Sequence, residues 1–267
     1  MALAAPRHGK LSGLGRSALG WLAECWQTIH LGALILTLSL APSSYTRSMR
    51  GALARQIYLS CAWTLPWFTV LSALTSIVLI RIVVVTSVSY GLSQYAVEMV
   101  VRVLVLELIP LTAALFVALR SAIPRDAEMA PQRSIGLLDV RGVPTREALT
   151  DEIAPRVLAA MFCVVMLAAL SCVTALVLAY LSVYGFSRWG FAGYTHEVGQ
   201  VFNPAVSVIF AVKIVLFSLA VALIPVASVV FDADGARTRS NFELRSLIRL
   251  FAVILLVEVA SLVSNYS

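Results

Sequence analysis

Five stretches of the chain are apolar for long enough to cross a bilayer, and short polar segments separate them. They run over residues 65–88, 99–119, 157–184, 205–231 and 247–263. Each has the length that about 30 Å of hydrocarbon demands at about 1.5 Å per residue, the last being the shortest. Pro225 stands inside the fourth and should kink or loosen it, which membrane helices tolerate where neighbours supply hydrogen-bond partners. Residues 1–56 are mixed and basic. Between Leu14 and Leu40, the positions Leu14, Trp21, Leu22, Cys25, Trp26 and Ile29 fall near one helical face, with Arg16, Glu24 and Gln27 elsewhere. Tryptophans on such a helix favour the headgroup boundary, and the apolar run Leu31–Leu40 is too short to span. No A-x-A site follows that run, so an interfacial helix is predicted in preference to a cleaved signal peptide. The predicted architecture is an all-α integral membrane protein. An N-terminal segment, 1–56, carries an amphipathic interfacial helix, and a five-span domain, 57–267, contains a long loop at 120–156.

Composition agrees with several spans. Hydrophobic residues make up 60% of the 267 and charged residues 13%, whereas a soluble chain carries about 25% charged residues. The mean hydropathy is +0.91. Cys25, Cys61, Cys163 and Cys172 lie singly in apolar surroundings with no C-x-x-C spacing, which argues against a metal site or a disulfide frame. The net charge of +6 suggests nucleic acid until its distribution is seen. Arg7, Lys10, Arg16, Arg47, Arg50 and Arg55 precede the first span. Arg120, Arg125, Arg133, Arg141, Arg146 and Arg156 fill the 120–156 loop, and Arg237, Arg239, Arg245 and Arg249 lie in the 232–249 region. The 89–98 loop has no Lys or Arg, and the 185–204 loop has only Arg188. That alternation predicts a cytoplasmic N-terminus and a periplasmic C-terminus, with no nucleic-acid partner.

Four charges lie well inside spans, Arg81, Glu107, Lys213 and Glu258, while Arg102 and Arg249 stand within four residues of a span end. A carboxylate as deep as Glu107 costs about 2.5–3.5 kcal/mol on insertion scales, so it should face protein or water and have a cation nearby. With the predicted orientation, each of the four sits about six to eight residues inside the outer end of its span. Two salt bridges knitting the bundle would account for them. So would a hydrated cavity open to the outer side and able to hold a polar headgroup, which the expense of intramembrane charge favours. Glu98 and Arg102, four apart, can pair on one helix face as an anchor. The 120–156 loop interleaves its arginines with Asp126, Glu128, Asp139, Glu147, Asp151 and Glu152, and with four prolines. Within it SIGLLDVRG can form a short helix stopped by Gly142 and Pro144, with Ile135, Leu137 and Leu138 as its apolar face. Such a helix could dock a soluble partner or lie against the protein's own membrane ends.

No G-x-x-x-x-G-K-[ST], H-E-x-x-H or G-x-S-x-G motif occurs, and His8, His30 and His196 are isolated. The chain is therefore predicted not to be an enzyme. Uphill transport would draw its energy from another protein. An ion-coupled carrier or channel, with the buried charges as a relay, is the alternative. Such carriers are often built from internal repeats, and none is visible here.

ELIPLTAALFVALRSA (Glu107–Ala122), Ala127–Glu128, VRGVP (Val140–Pro144) and PRVLA (Pro155–Ala159) together resemble the MlaE (YrbE) permease family. These permeases are the membrane subunits of MCE-associated ABC lipid transporters. RQIY (Arg55–Tyr58) resembles the start of the family's first membrane unit, and spacing would match Lys213 and Glu258 to charged positions in its last two spans. The resemblance implies a bacterial inner-membrane permease that moves phospholipid or a similar lipid. It would work with a second permease copy, a periplasmic MCE-domain protein and a cytoplasmic ABC ATPase, and a small STAS-type subunit is a further candidate partner. ATP and magnesium would be held by the ATPase and not by this chain. Arg81, Arg102, Glu107, Lys213 and Glu258 would line the lipid cavity. The coupling helix would lie in the 120–156 loop, with Glu128, Ile135, Leu137, Leu138, Asp139 and Arg141 meeting the ATPase. The chain departs from the family where Leu106 replaces an arginine and where Ile109, Leu119 and Ala122 replace glycines. Pro124 and Pro131 also interrupt a segment that is continuous in the family. A cation for Glu107 must then come from Arg81, Arg102 or Lys213.

Overall fold

The computed structural model describes residues 28–35, 37, 47–62, 64–92, 95–122, 153–231 and 239–266. These form helices and tight turns, with no strand among them. Helix α1 (Arg47–Ile57) leads through a π-helical turn, Tyr58–Ala62, into α2 (Thr64–Ser89). The second span is composite: α3 (Ala96–Val100), a π-helical segment (Val101–Leu108) and α4 (Ile109–Ala122). Helix α5 (Ala154–Tyr184) is followed by the short α6 (Phe191–Val201), then α7 (Pro204–Phe231) and α8 (Arg239–Tyr266). Among the described residues, five helices are long and apolar enough to cross a membrane, and they overlap the five predicted stretches. The extension past the apolar run is one residue in α7 and eight residues at the start of α8.

Helices α5 and α7 form the centre. Helix α5 packs against α1, α2, α4 and α7, and α7 against α4, α5 and α8. The second span is the most enclosed, with 61% of its apolar window buried against 17% for α2. Small side chains make this closeness possible. Ala113 and Ala114 of α4 and Ala168, Ser171, Ala175 and Ala179 of α5 are buried. Small residues let membrane helices approach closely, where dispersion and not water exclusion holds them together. One core joins Ala113, Val117, Leu167, Phe217 and Ile254. A second, toward the α3 end, joins Ile80, Val101, Val105, Ala175 and Tyr194. The opposite faces, including Val173 and Val177 of α5 and Leu255, Leu256 and Val259 of α8, are exposed and apolar, as lipid contact requires.

Helix α2 turns at Gly91, whose positive φ of 72° lets the chain reverse while Leu92 N–H donates to Ser87 O at 2.8 Å. Helix α7 runs unbroken through Pro225. Of the predicted interfacial helix, only residues 28–35 and 37 are described. They are helical, with Ile29 exposed and Leu31 and Ile35 buried against Val157 and Leu223. A methyl on Gly32 would stand 2.6 Å from Leu223 Cδ1, so the approach to α7 is close there.

Overpacking the α5 seam should therefore be costly. Ala175→Leu is expected to lower stability by about 1–3 kcal/mol, whereas Val173→Leu on the exposed face should leave it unchanged. Thermal unfolding of both variants in detergent measures the difference.

Candidate functional site

The local sequence builds the site around Pro110. With no N–H, Pro110 cannot donate to the carbonyl four residues earlier, and that carbonyl belongs to Leu106. The helix ahead of it is wound wide, with Ile109 N–H reaching back five residues to Leu104 O. Such π segments often mark functional positions. Glu107 sits in this segment and is buried. Opposite it, Lys213 of α7 points inward and is also buried.

Lys213 Nζ donates to Glu107 Oε2 and, at 3.2 Å, to Leu106 O. On its other side it lies 3.0 Å from Glu258 Oε2 of α8. Side-chain exposure is 2% for Lys213, 12% for Glu107 and 11% for Glu258. The Phe217 ring, one turn along α7, has its centroid 5.9 Å from the ammonium, within reach of a cation–π attraction. One ammonium thus serves acceptors on two other spans. The carbonyl that Pro110 leaves without its usual donor is among them. Glu258 Oε2 is buried with no hydrogen bond of proper geometry, so its tie to Lys213 is electrostatic.

Beside the cluster is a small recess, with room for about one water, lined by Leu106, Glu107, Val206, Ile209, Phe210, Lys213, Ser261 and Asn265. It is far smaller than an ordinary small-molecule pocket. Where α5 meets the π segment, Cys172 Sγ approaches Val105 O at 3.9 Å. Tyr194 of α6 donates to Leu176 O at 2.7 Å, fixing α6 against α5. Burial, followed by the neighbouring Tyr184 phenol, pushes the Tyr194 hydroxyl up to about 12, so it stays a donor at neutral pH.

The structure brings together three of the five residues expected to line a cavity: Glu107, Lys213 and Glu258. Arg81 is exposed on α2 and makes no ion pair among the described residues. Arg102 pairs with Glu98 at 3.0 Å on its own helix face, half exposed. Of the three cations open to Glu107, Lys213 is the one that meets it. The six residues expected to meet an ATPase, Glu128, Ile135, Leu137, Leu138, Asp139 and Arg141, lie outside the described residues. Sequence reasoning missed the π segment, the Leu106 carbonyl, the Phe217 ring, and Ser261 and Asn265. Pro110, three residues after Glu107, was a signal for the first two. Ser261 and Asn265 stand three and seven residues beyond Glu258, on the same side of α8.

Removing Lys213 should leave two buried carboxylates without a counter-charge. Lys213→Met is expected to cost about 3–5 kcal/mol, and adding Glu107→Gln and Glu258→Gln should restore much of it. Unfolding of the single and triple variants in one detergent checks both outcomes.

The family model described as Permease MlaE matches residues 53–263. No curated protein sequence matches the chain. With five membrane-length helices, the match marks a multi-pass membrane transport subunit.

Proposed function

The chain belongs to the MlaE permease family, and from that premise we propose that it is the permease subunit of an ABC transporter moving phospholipid or a similar lipid in the bacterial inner membrane. The observation that carries this reading is the Glu107–Lys213–Glu258 cluster, which ties three spans together inside a matched permease domain. A charged node at such depth suits a protein whose membrane helices must move as a unit. It also offers polar character to a headgroup, with Ser261 and Asn265 beside it on the recess wall.

On this reading the N-terminus is cytoplasmic and the C-terminus periplasmic, which the distribution of Lys and Arg supports. The N-terminal amphipathic segment lies at the cytoplasmic boundary. The recess within one chain is too small for a lipid, so the lipid chamber is formed between two permease copies and opens toward the periplasm. Energy comes from cytoplasmic ATPase subunits docked on the 120–156 loop. Their closure rocks the spans, and lipid passes to or from an MCE-domain protein outside. The cluster shapes the chamber wall electrostatically and performs no chemistry.

Affinity-tagged protein extracted gently from its native membrane should carry along an ABC ATPase and retain phospholipid detectable by native mass spectrometry. In reconstituted transport, Glu107→Ala and Lys213→Ala should each reduce lipid transfer at least several-fold. Isolation without an ATPase, or unimpaired transfer by both variants, would contradict the reading.

A further inference from the structure

The buried cluster does not balance its charge. Lys213 contributes one positive charge, whereas Glu107 and Glu258 would contribute two negative charges if both were ionised. The charged groups acting on Glu258 are Lys213 and Glu107. Arg102 is engaged with Glu98, and Arg81 lies exposed on α2. Among the described residues, the other groups at the ammonium or on the recess wall are neutral, among them the Leu106 carbonyl of the π segment, the Phe217 ring of α7, and Ser261 and Asn265 of α8. On α5, the Cys172 thiol is turned toward Val105 O.

Two geometric facts bear on the imbalance. Glu258 Oε2 is buried and receives no properly directed hydrogen bond. The carboxyl groups of Glu107 and Glu258 also meet the same ammonium, with Glu258 Oε2 3.0 Å from it. Two ionised carboxylates around one ammonium repel each other and leave the cluster with a net negative charge. When one carries a proton, the cluster becomes electrically neutral. Like charges sharing a desolvated site do not both ionise without a large penalty.

We propose that Glu107, Lys213 and Glu258 form a proton-binding site, holding a single proton between the two carboxyl groups at neutral pH. The recess beside the cluster, with Ser261 and Asn265 on its wall, gives the proton its route. It has room for about one water. The proton is a resident of the cluster and is not part of a flux. It lets α7, α8 and the π segment meet without a net charge between them. The proposal rests on the cluster's geometry and holds whatever cargo the protein moves.

Infrared spectroscopy of the full chain in lipid nanodiscs tests it. The wild type is expected to show the C=O stretch of a protonated carboxyl at neutral pH, shifting on exchange into heavy water. Both Glu258→Gln and Glu107→Gln should abolish the band, because the remaining glutamate then pairs one-to-one with Lys213 and ionises. Where a glutamine variant does not fold, Glu258→Asp keeps the carboxyl and should move the band. A wild-type spectrum without the band overturns the proposal. So does a band that Glu258→Gln, Glu107→Gln and Glu258→Asp all leave in place.

Discussion

A single ammonium group holds the middle of this protein together. In a bilayer no water stands ready to satisfy a polar group, so each must find its partner within protein or in a wet recess. Lys213 meets that constraint for several groups at once, taking Glu107 and Leu106 O from the second span and Glu258 from the fifth. Removing it would orphan all of them together. Helices that otherwise meet through small apolar side chains have here a connection with direction and charge.

The backbone was shaped to receive it. Pro110 frees the Leu106 carbonyl, and the π segment before it widens the helix so that the carbonyl and the Glu107 side chain can both reach Lys213. A residue with an N–H at position 110 would have kept that carbonyl in the helix's own ladder. Apolar packing around the node, from Val101 and Val105 on one side to Phe217 and Ile254 on the other, excludes water and strengthens the ion pairs. The node and the close-packed seam of α5 make a rigid centre, while the outer faces of α2 and α8 remain apolar and exposed.

Much of the fold could be read from the chain. The spans declared themselves because apolar runs of membrane length, five in one chain of this size, find enough apolar surroundings only in a bilayer. The cost of burying charge singled out Glu107, Lys213 and Glu258 before any geometry was known. Arg81 has a similar depth yet sits apart, because depth along a span says nothing about which side of the helix a residue occupies. The side of α2 that faces protein carries Thr64, Phe68, Ser72, Ser76, Ile80 and Ser87. Arg81 lies off that line, and the spacing of the small hydroxyl residues was the available clue. The choice of Lys213 as the partner of Glu107 could not be made from sequence, since Arg81 and Arg102 were equally placed in one dimension. That Arg102 is engaged by Glu98 follows from their four-residue spacing, and it removes one competitor.

The chain has only two lysines, Lys10 and Lys213, which makes the central contact directly observable. With Lys10→Arg, nitrogen-15 on lysine and carbon-13 on glutamate carboxyls, solid-state NMR in lipid can measure Lys213 Nζ against each carboxyl carbon. The account predicts short contacts to two carboxyls, one lost with Glu107→Gln and the other with Glu258→Gln. A Lys213 signal with no nearby carboxyl, or with one partner unaffected by either substitution, would contradict it.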